Sequence, residues 1–483
     1  KEFSSILNNG GFDIILGNPP YGAKLNKEEK KYLDDNYATT QYNYDTYKFF
    51  WELAYKLVKD EAYIGLITPN TYFVLEKSNL LRKLLFDNCT VIKLVEVFEV
   101  FPDAIVEPII SIYKKQVALP NQTFESICVP RKTELGPNFV FFGEKITFAH
   151  NELKEKEGYL FNYQLTKIDK EIIKKIYSIS QPLNEIVNVT TGIKPYQTGK
   201  GNPKQTKETV KEKPYTGNKK LDNSWTPYIK GESIHQYVDK WNKWTGEYVK
   251  YGPWLAEPRN PNIFLNEKLF IRQTSDKLIA TYDNTGKVGK NTNHCIYNKS
   301  EESNVNLKFV LGLINSTLLN YIFQQENFHI VGKPLAETKV VYIKRLPIIQ
   351  AANEKPFIVL VEEILKSCQE KQNKIMEFLS FLHKVYGLLK PSDDLYNFYN
   401  EDFKHFLDHL KKQKVKLTEK EKFKLMPLFE ETKEEVEYIS EEIFRLKEEL
   451  DEKIFELYKL TTEEVEMVKG HQILKNHKRS EMK

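Results

Sequence analysis

The sequence predicts an α/β layer at its N-terminal end, then a mixed α+β region, then a helical C-terminal region. Three observations lead there. Over residues 1–117 short apolar runs alternate with helix-spaced segments. Over 159–350 the chain turns to short strand-like runs, many turn formers and every tryptophan but Trp51. From about Pro356 onward it is nearly Gly-free and rich in Glu, Lys, Leu and Phe.

Taken in order, Phe12-Asp13-Ile14-Ile15-Leu16 is an apolar run closed by Gly17 and two prolines, the pattern of a buried strand. Tyr44–Lys59 carries Tyr47, Phe50, Trp51, Ala54, Leu57 and Val58 at helical spacing. Ala62–Thr68 reads as a second strand stopped by Pro69, Ser78–Phe86 as a short helix, Val91–Val97 as a third strand and Ile105–Tyr113 as a fourth. Strand alternating with helix predicts a mainly parallel sheet. Residues 118–158, with scattered Pro and Gly, read as a connector. Within 351–483 the segment Glu434–Leu460 has apolar residues at Val436, Ile439, Ile443, Phe444, Leu446, Leu450, Ile454, Phe455 and Leu457, the pattern of an amphipathic helix of several turns.

A chain of 483 residues is too long for one core, so two to four domains are expected. Lys and Arg total 71 against 67 Asp and Glu, a net charge of +4, which excludes a generic polycation binder but permits a local basic groove. Cys89, Cys128, Cys295 and Cys368 are widely separated with no CxxC pair, so neither a disulfide framework nor a metal site is expected. No apolar run reaches the roughly 18 residues of a membrane span. The chain begins at Lys1 and enters a strand within a few residues, which reads as a piece of something longer.

The chemistry-bearing segment is Asn18-Pro19-Pro20-Tyr21, directly after the first strand. In open α/β sheets, ligands sit off the carboxyl ends of strands. The exocyclic amine of adenine is a weak nucleophile because its lone pair is delocalised into the ring. Accepting both amine hydrogens, through the Asn18 side-chain oxygen and the Pro19 carbonyl, localises that lone pair. The two prolines fix φ and hold the acceptors, and Tyr21 offers a face on which a flipped base stacks. A second aromatic is offered by Phe101 in Glu99-Val100-Phe101-Pro102, with Phe98 as the alternative.

With these residues in place, Phe12–Tyr113 resembles the downstream half of the gamma-class N6-adenine DNA methyltransferase domain, of the Taq type and the type IIG restriction-modification family. The resemblance rests on the Asn-Pro-Pro-Tyr loop, the helix Asp45–Val58, the strand ending in Thr68-Pro69 and the Glu-Val-Phe-Pro element. It implies a partial Rossmann-like sheet of a methyltransferase using S-adenosylmethionine, with Asn18, Pro19, Pro20 and Tyr21 catalytic and Tyr21 and Phe101 stacking on adenine. Asp45, Tyr47 and Phe50 fall in the segment that helps wall the methyl-donor pocket. Gly192–Gly201, Tyr228-Ile229-Lys230-Gly231, Phe270–Thr274 and the tail Asp451–Val465 are similar to the family's C-terminal specificity region.

The resemblance implies a prokaryotic, cytoplasmic DNA-modifying enzyme of a restriction-modification or related phage-defence system, with double-stranded DNA as partner. Residues 1–117 would be the C-terminal half of the catalytic domain, 159–350 the target-recognition domain and 351–483 its helical extension. Lys194, Lys200, Lys204, Lys230, Arg272, Lys333 and Lys344 are candidates for DNA contact, Arg272 being the preferred base reader. One departure stands out. The Gly-rich donor loop and the acidic residue after the second strand, which the family carries upstream of its catalytic loop, have no counterpart in the 17 residues before Asn18. The donor-binding half is then expected on a longer precursor or a companion subunit. Two other readings share these features: a non-enzymatic DNA-recognition module lacking the donor site, and a glutamine methyltransferase acting on protein, against which the long region 159–350 speaks.

Overall fold

The computed structural model describes residues 3–40, 44–98, 108–130, 133, 136, 138–300, 305–331 and 335–480. The chain divides into two compact units, Lys1–Lys170 with Gln325–His329, and Glu171–Gln324 with Ile330–Lys483.

The first unit is built on a six-stranded sheet. Strand β1 (Phe12–Gly17) follows Gly11, whose φ of +115° and close approach to the Leu57 carbonyl leave no room for a side chain. It pairs in parallel with β2 (Val58–Pro69), Leu16 opposite Gly65 and Gly17 opposite Leu66. With β3 (Thr90–Glu96), β4 (Pro108–Lys114), β5 (Thr123–Cys128) and β6 (Glu144–Ala149), the order is β1-β2-β4-β3-β5-β6. The expected parallel sheet is in fact mixed: β1/β2 and β3/β5 run parallel, whereas β4 runs against both β2 and β3, and β6 against β5. The reason lies in the connection. Only residues 97–107 separate β3 from β4, too few for a crossover helix, so the chain returns antiparallel. Strands β5 and β6 come from 118–158, the stretch that reads as a connector, and the unit continues to Lys170.

Two amphipathic helices cover one face of this sheet. Thr46–Leu57 buries Tyr47, Trp51 and Ala54, and Asn79–Asn88 buries Leu81, Leu85 and Arg82. The Arg82 guanidinium donates to the carbonyls of Tyr72 (2.6 Å), Leu75 (2.8 Å) and Gly158 (2.8 Å), bonds that offset its desolvation. The opposite face holds a smaller apolar cluster around Val95, Val97, Ile127 and Val129. Strand β1 does not share in it. Its second edge has no partner strand among the described residues, and Ile14 and Leu16 are 60% and 78% exposed.

Among the described residues the second unit has two four-stranded sheets, two two-stranded ribbons and a helical end. One sheet orders Ala280–Asp283, Lys268–Arg272, Asn293–Asn298 and Val187–Thr191, all antiparallel. Across it Lys268 and Asp283, both buried, form an ion pair at 2.6 Å. The other sheet centres on Trp225–Ile229 and Glu247–Lys250. Helix Leu307–Asn315 is buried almost all round and meets the long helix Lys355–Tyr386 at Gly312, where a Cβ would come within 2.9 Å of Val361. Glu419–Leu457, 39 residues long, contains most of the helix expected over 434–460 and packs on Lys355–Tyr386.

Sequence reading makes Asp451-Glu452-Lys453 a solvated helix face. Asp451 is instead buried, and its carboxylate accepts from the Thr317 backbone N–H (2.9 Å) and hydroxyl (2.5 Å), capping helix Thr317–Glu326 from another element. Burial raises its pKa to about 6. A carboxyl raised above its ordinary 3.8 is held protonated by the fold, so it penalises folding progressively as pH rises from about 4 through 6. Asp451→Asn should therefore gain stability relative to wild type as pH rises across that window, by up to roughly 3 kcal/mol, while Asp451→Ala loses about 1–3 kcal/mol by leaving the Thr317 donors unmet. Urea melts of both variants at pH 4.5 and 7.5 measure this; a wild type that gains on Asp451→Asn toward pH 7.5 would contradict it.

Candidate functional site

The loop Asn18–Tyr21 leaves the carboxyl end of β1 beside the carboxyl end of the parallel β2. Asn18 is exposed, Pro19 buried and Tyr21 half-buried. The Tyr21 hydroxyl lies 3.1 Å from Asn18 Oδ1 and 3.1 Å from the Ile67 carbonyl of β2, and donates to them. Burial raises the Tyr21 pKa, so the hydroxyl stays a neutral donor at physiological pH. The Pro20 carbonyl accepts from the Thr46 hydroxyl at 2.5 Å, whereas the Pro19 carbonyl carries no hydrogen bond among the described residues. Thus the two adjacent proline carbonyls differ: Pro20 is occupied and Pro19 is open, while Asn18 Oδ1 is engaged by Tyr21.

Thr46 and Ile67 were not foreseen. A motif scan has no reason to single out a first-turn threonine 26 positions downstream or a strand carbonyl, since only the fold brings them to the loop. A buried cluster behind the site is equally invisible to pattern reading. Glu96, at the end of β3, accepts from Tyr163 (2.5 Å), Gln164 (2.7 Å) and Asn70 (3.1 Å), the last of these just beyond β2.

Of the residues expected near a methyl donor, Tyr47 packs edge-on against Tyr21 with ring centroids 6.5 Å apart. Its pKa is pushed up to about 12 by burial. Asp45 stands at the start of helix Thr46–Leu57, 4.0 Å from Lys48, and Phe50 is exposed. Phe101 lies outside the described residues; Phe98, its alternative, is half-buried.

The recognition candidates separate in the second unit. Lys194 and Lys230 line one cavity of about 450 Å³. Lys200, Lys204 and Lys344 are exposed singly, and Lys333 lies outside the described residues. The Arg272 Nε donates to the Gly231 carbonyl (2.9 Å) and an Nη to the Glu232 carbonyl (3.0 Å), so its guanidinium braces the turn 231–233. No group of three or more His, Cys, Asp or Glu among the described residues is arranged to hold a metal, and none of their helices is long and apolar enough to cross a membrane.

Comparison with known families fits this geometry. Residues 1–101 match the Eco57I restriction-modification methylase family, residues 226–348 the TaqI-like C-terminal specificity domain, and residues 350–454 a domain of unknown function. The chain thus resembles a restriction-modification methylase over its first segment and a TaqI-like specificity domain over a later one. It is 26% identical over 419 residues to a Methanocaldococcus jannaschii protein named as a type II restriction enzyme and methyltransferase, covering 83% of this chain and 33% of that one. It is 28% identical over 207 residues to the type II restriction enzyme and methyltransferase RM.Eco57I of Escherichia coli, covering 39% of this chain and 19% of the relative. The chain thus spans about a third or less of the length of these two relatives. Among solved structures, the type IIL restriction-modification enzyme MmeI in complex with DNA aligns over 88% of this chain and 57% of its own, with 13% identity and a TM-score of 0.41.

In the second unit, Arg272→Ala should lower stability by about 1–3 kcal/mol by freeing two carbonyls, and weaken any duplex binding equally on every sequence. Thermal melts with anisotropy titrations on two unrelated duplexes test it. A loss confined to one sequence with unchanged stability would restore the base-reading role.

Proposed function

We propose that this chain is the acceptor-handling and DNA-recognition portion of a site-specific DNA adenine N6-methyltransferase of a restriction-modification system, with S-adenosylmethionine as methyl donor. The observation that supports this most is the pair of neutral acceptors, Asn18 Oδ1 and the Pro19 carbonyl, beside the carboxyl ends of two parallel strands. The methylase and specificity-domain matches point the same way, as do relatives named as methyltransferases.

The chain's own residues supply base polarisation. An adenine amine turned into the site gives one hydrogen to the Pro19 carbonyl and one to Asn18 Oδ1, which draws the nitrogen toward tetrahedral geometry and localises its lone pair. Tyr21 governs the Asn18 carboxamide. With the carboxamide turned by half a rotation, Nδ2 donates to the Tyr21 hydroxyl, the hydroxyl passes its own hydrogen to the Ile67 carbonyl, and Oδ1 faces the base. Thr46, by holding the Pro20 carbonyl, fixes the second proline and leaves Pro19 as the acceptor on offer. The Tyr21 ring, with Phe101 as the proposed second aromatic, stacks on the extruded base.

Methyl-donor binding is assigned to another segment or a companion subunit. The open edge of β1, with Ile14 and Leu16 uncovered, suits pairing with further strands of the same sheet. Calorimetry of this chain with S-adenosylmethionine should accordingly give no measurable heat of binding; micromolar affinity would sink that assignment. Supplied with a donor-binding half, S-adenosylmethionine and duplex DNA, it should yield N6-methyladenine on digestion and mass spectrometry. Asn18→Ala should slow that step by about 10²–10³-fold with duplex affinity unchanged. Methylcytosine, or label in protein alone, would overturn the adenine reading.

A further inference from the structure

We infer that the cavity between Lys213, Lys230 and Lys290 in the second unit is a phosphate-binding site, filled by the backbone of duplex DNA or by a free nucleotide. Four lysines line this space, Lys194 included, against two glutamates, Glu212 and Glu247. At about 450 Å³ it is large enough for a nucleotide-sized group. Tyr228, Lys230, Glu247 and Lys290 of its wall belong to residues 226–348, but most of the lining, Lys194, Tyr196 and Lys213 included, comes from upstream, so the site is assembled by the fold and no contiguous basic run announces it.

The local electrostatics favour an incoming anion. Lys194 is held by the Gln197 side-chain oxygen at 2.7 Å, and Lys230 by Glu247 at 2.5 Å. Lys290 is half-buried, and burial, with the ammoniums of Lys230 and Lys213, pushes its pKa down. Like charges facing one another across a partly desolvated hollow concentrate a positive potential there, and an anion relieves their repulsion. A polyvalent phosphate meets several ammoniums at once, which a single carboxylate does not. Tyr228 adds a polar group to the wall: it is 2% exposed, and its hydroxyl has no hydrogen-bond partner among the described residues. The face of Tyr196, stacked on Tyr215 at 5.9 Å and 11°, adds aromatic surface. DNA backbone is the favoured occupant, and that choice rests on the DNA-recognition reading above.

The test uses the full chain. Labelled duplex is titrated at several salt concentrations, with Lys290→Gln and Lys213→Gln compared with Lys366→Gln, an exposed lysine of helix Lys355–Tyr386. Each cavity variant should lower the slope of log affinity on log salt by about one, and weaken all sequences alike, with an unchanged melting temperature. In parallel, protection of Lys230 and Lys290 from acetylation is followed by mass spectrometry with inorganic triphosphate, ATP or duplex. Protection by duplex and by triphosphate assigns the cavity to backbone. Protection by triphosphate and ATP, with no duplex binding by wild type, keeps the phosphate site and defeats the DNA-recognition reading. Duplex binding with unaltered slopes and no protection overturns the phosphate site and leaves that reading standing.

Discussion

The candidate site depends on the close parallel approach of β1 to β2. Gly65 sits opposite Leu16, and Gly17 opposite Leu66; a Cβ on Gly65 would come within 2.8 Å of the Leu16 side chain, and one on Gly17 within 3.2 Å of Leu66. Two glycines on adjacent rungs, one on each strand, allow each strand's leucine to lie across the other's backbone. That register brings the Ile67 carbonyl to the Tyr21 hydroxyl, and through it to Asn18. A slip of one residue would invert the faces of β1 and carry the acceptor loop out of reach of that carbonyl.

The parts of this arrangement written in local sequence were legible. An apolar run ended by Gly and two prolines specifies both a strand end and a rigid turn, and helix Thr46–Leu57 is announced by the spacing of Tyr47, Trp51 and Ala54. Strand order was not legible, because the insertion of β4 between β3 and β2 depends on pairing with a strand further off in sequence. The strands β5 and β6 were missed for a related reason: Thr123–Cys128 and Glu144–Ala149 interleave apolar and polar residues too briefly to stand out from a loop. Asp451 and Arg272 show the same limit in charged residues. Each looks like a surface charge in its own segment, and each is claimed by backbone groups that only the tertiary fold delivers.

The site-level reading divides along similar lines. Residue types told which groups could polarise an amine, since Asn and a proline carbonyl are acceptors that carry no charge. They did not tell which of two adjacent proline carbonyls is open, and the Thr46 hydroxyl on Pro20 answers that. Nor did they separate Lys194 and Lys230, which share a cavity, from Lys200 and Lys204, which stand alone in solvent.

The near-neutral net charge of +4 then has a physical meaning. Base polarisation, as proposed for the first unit, calls for uncharged acceptors, because an ammonium beside Asn18 Oδ1 would compete with the amine for the same lone pairs. Holding a polyanion calls for the opposite, cations crowded closely enough to repel one another until the anion arrives. These demands are incompatible at a single site but not in a single chain. Whole-chain charge averages over both, and the surplus of Lys and Arg over Asp and Glu in composition is too small to reveal either. What distinguishes the two environments is pairing. The lysines around the cavity outnumber its carboxylates, whereas in the first unit Lys56, Lys59 and Lys115 each face an acidic side chain.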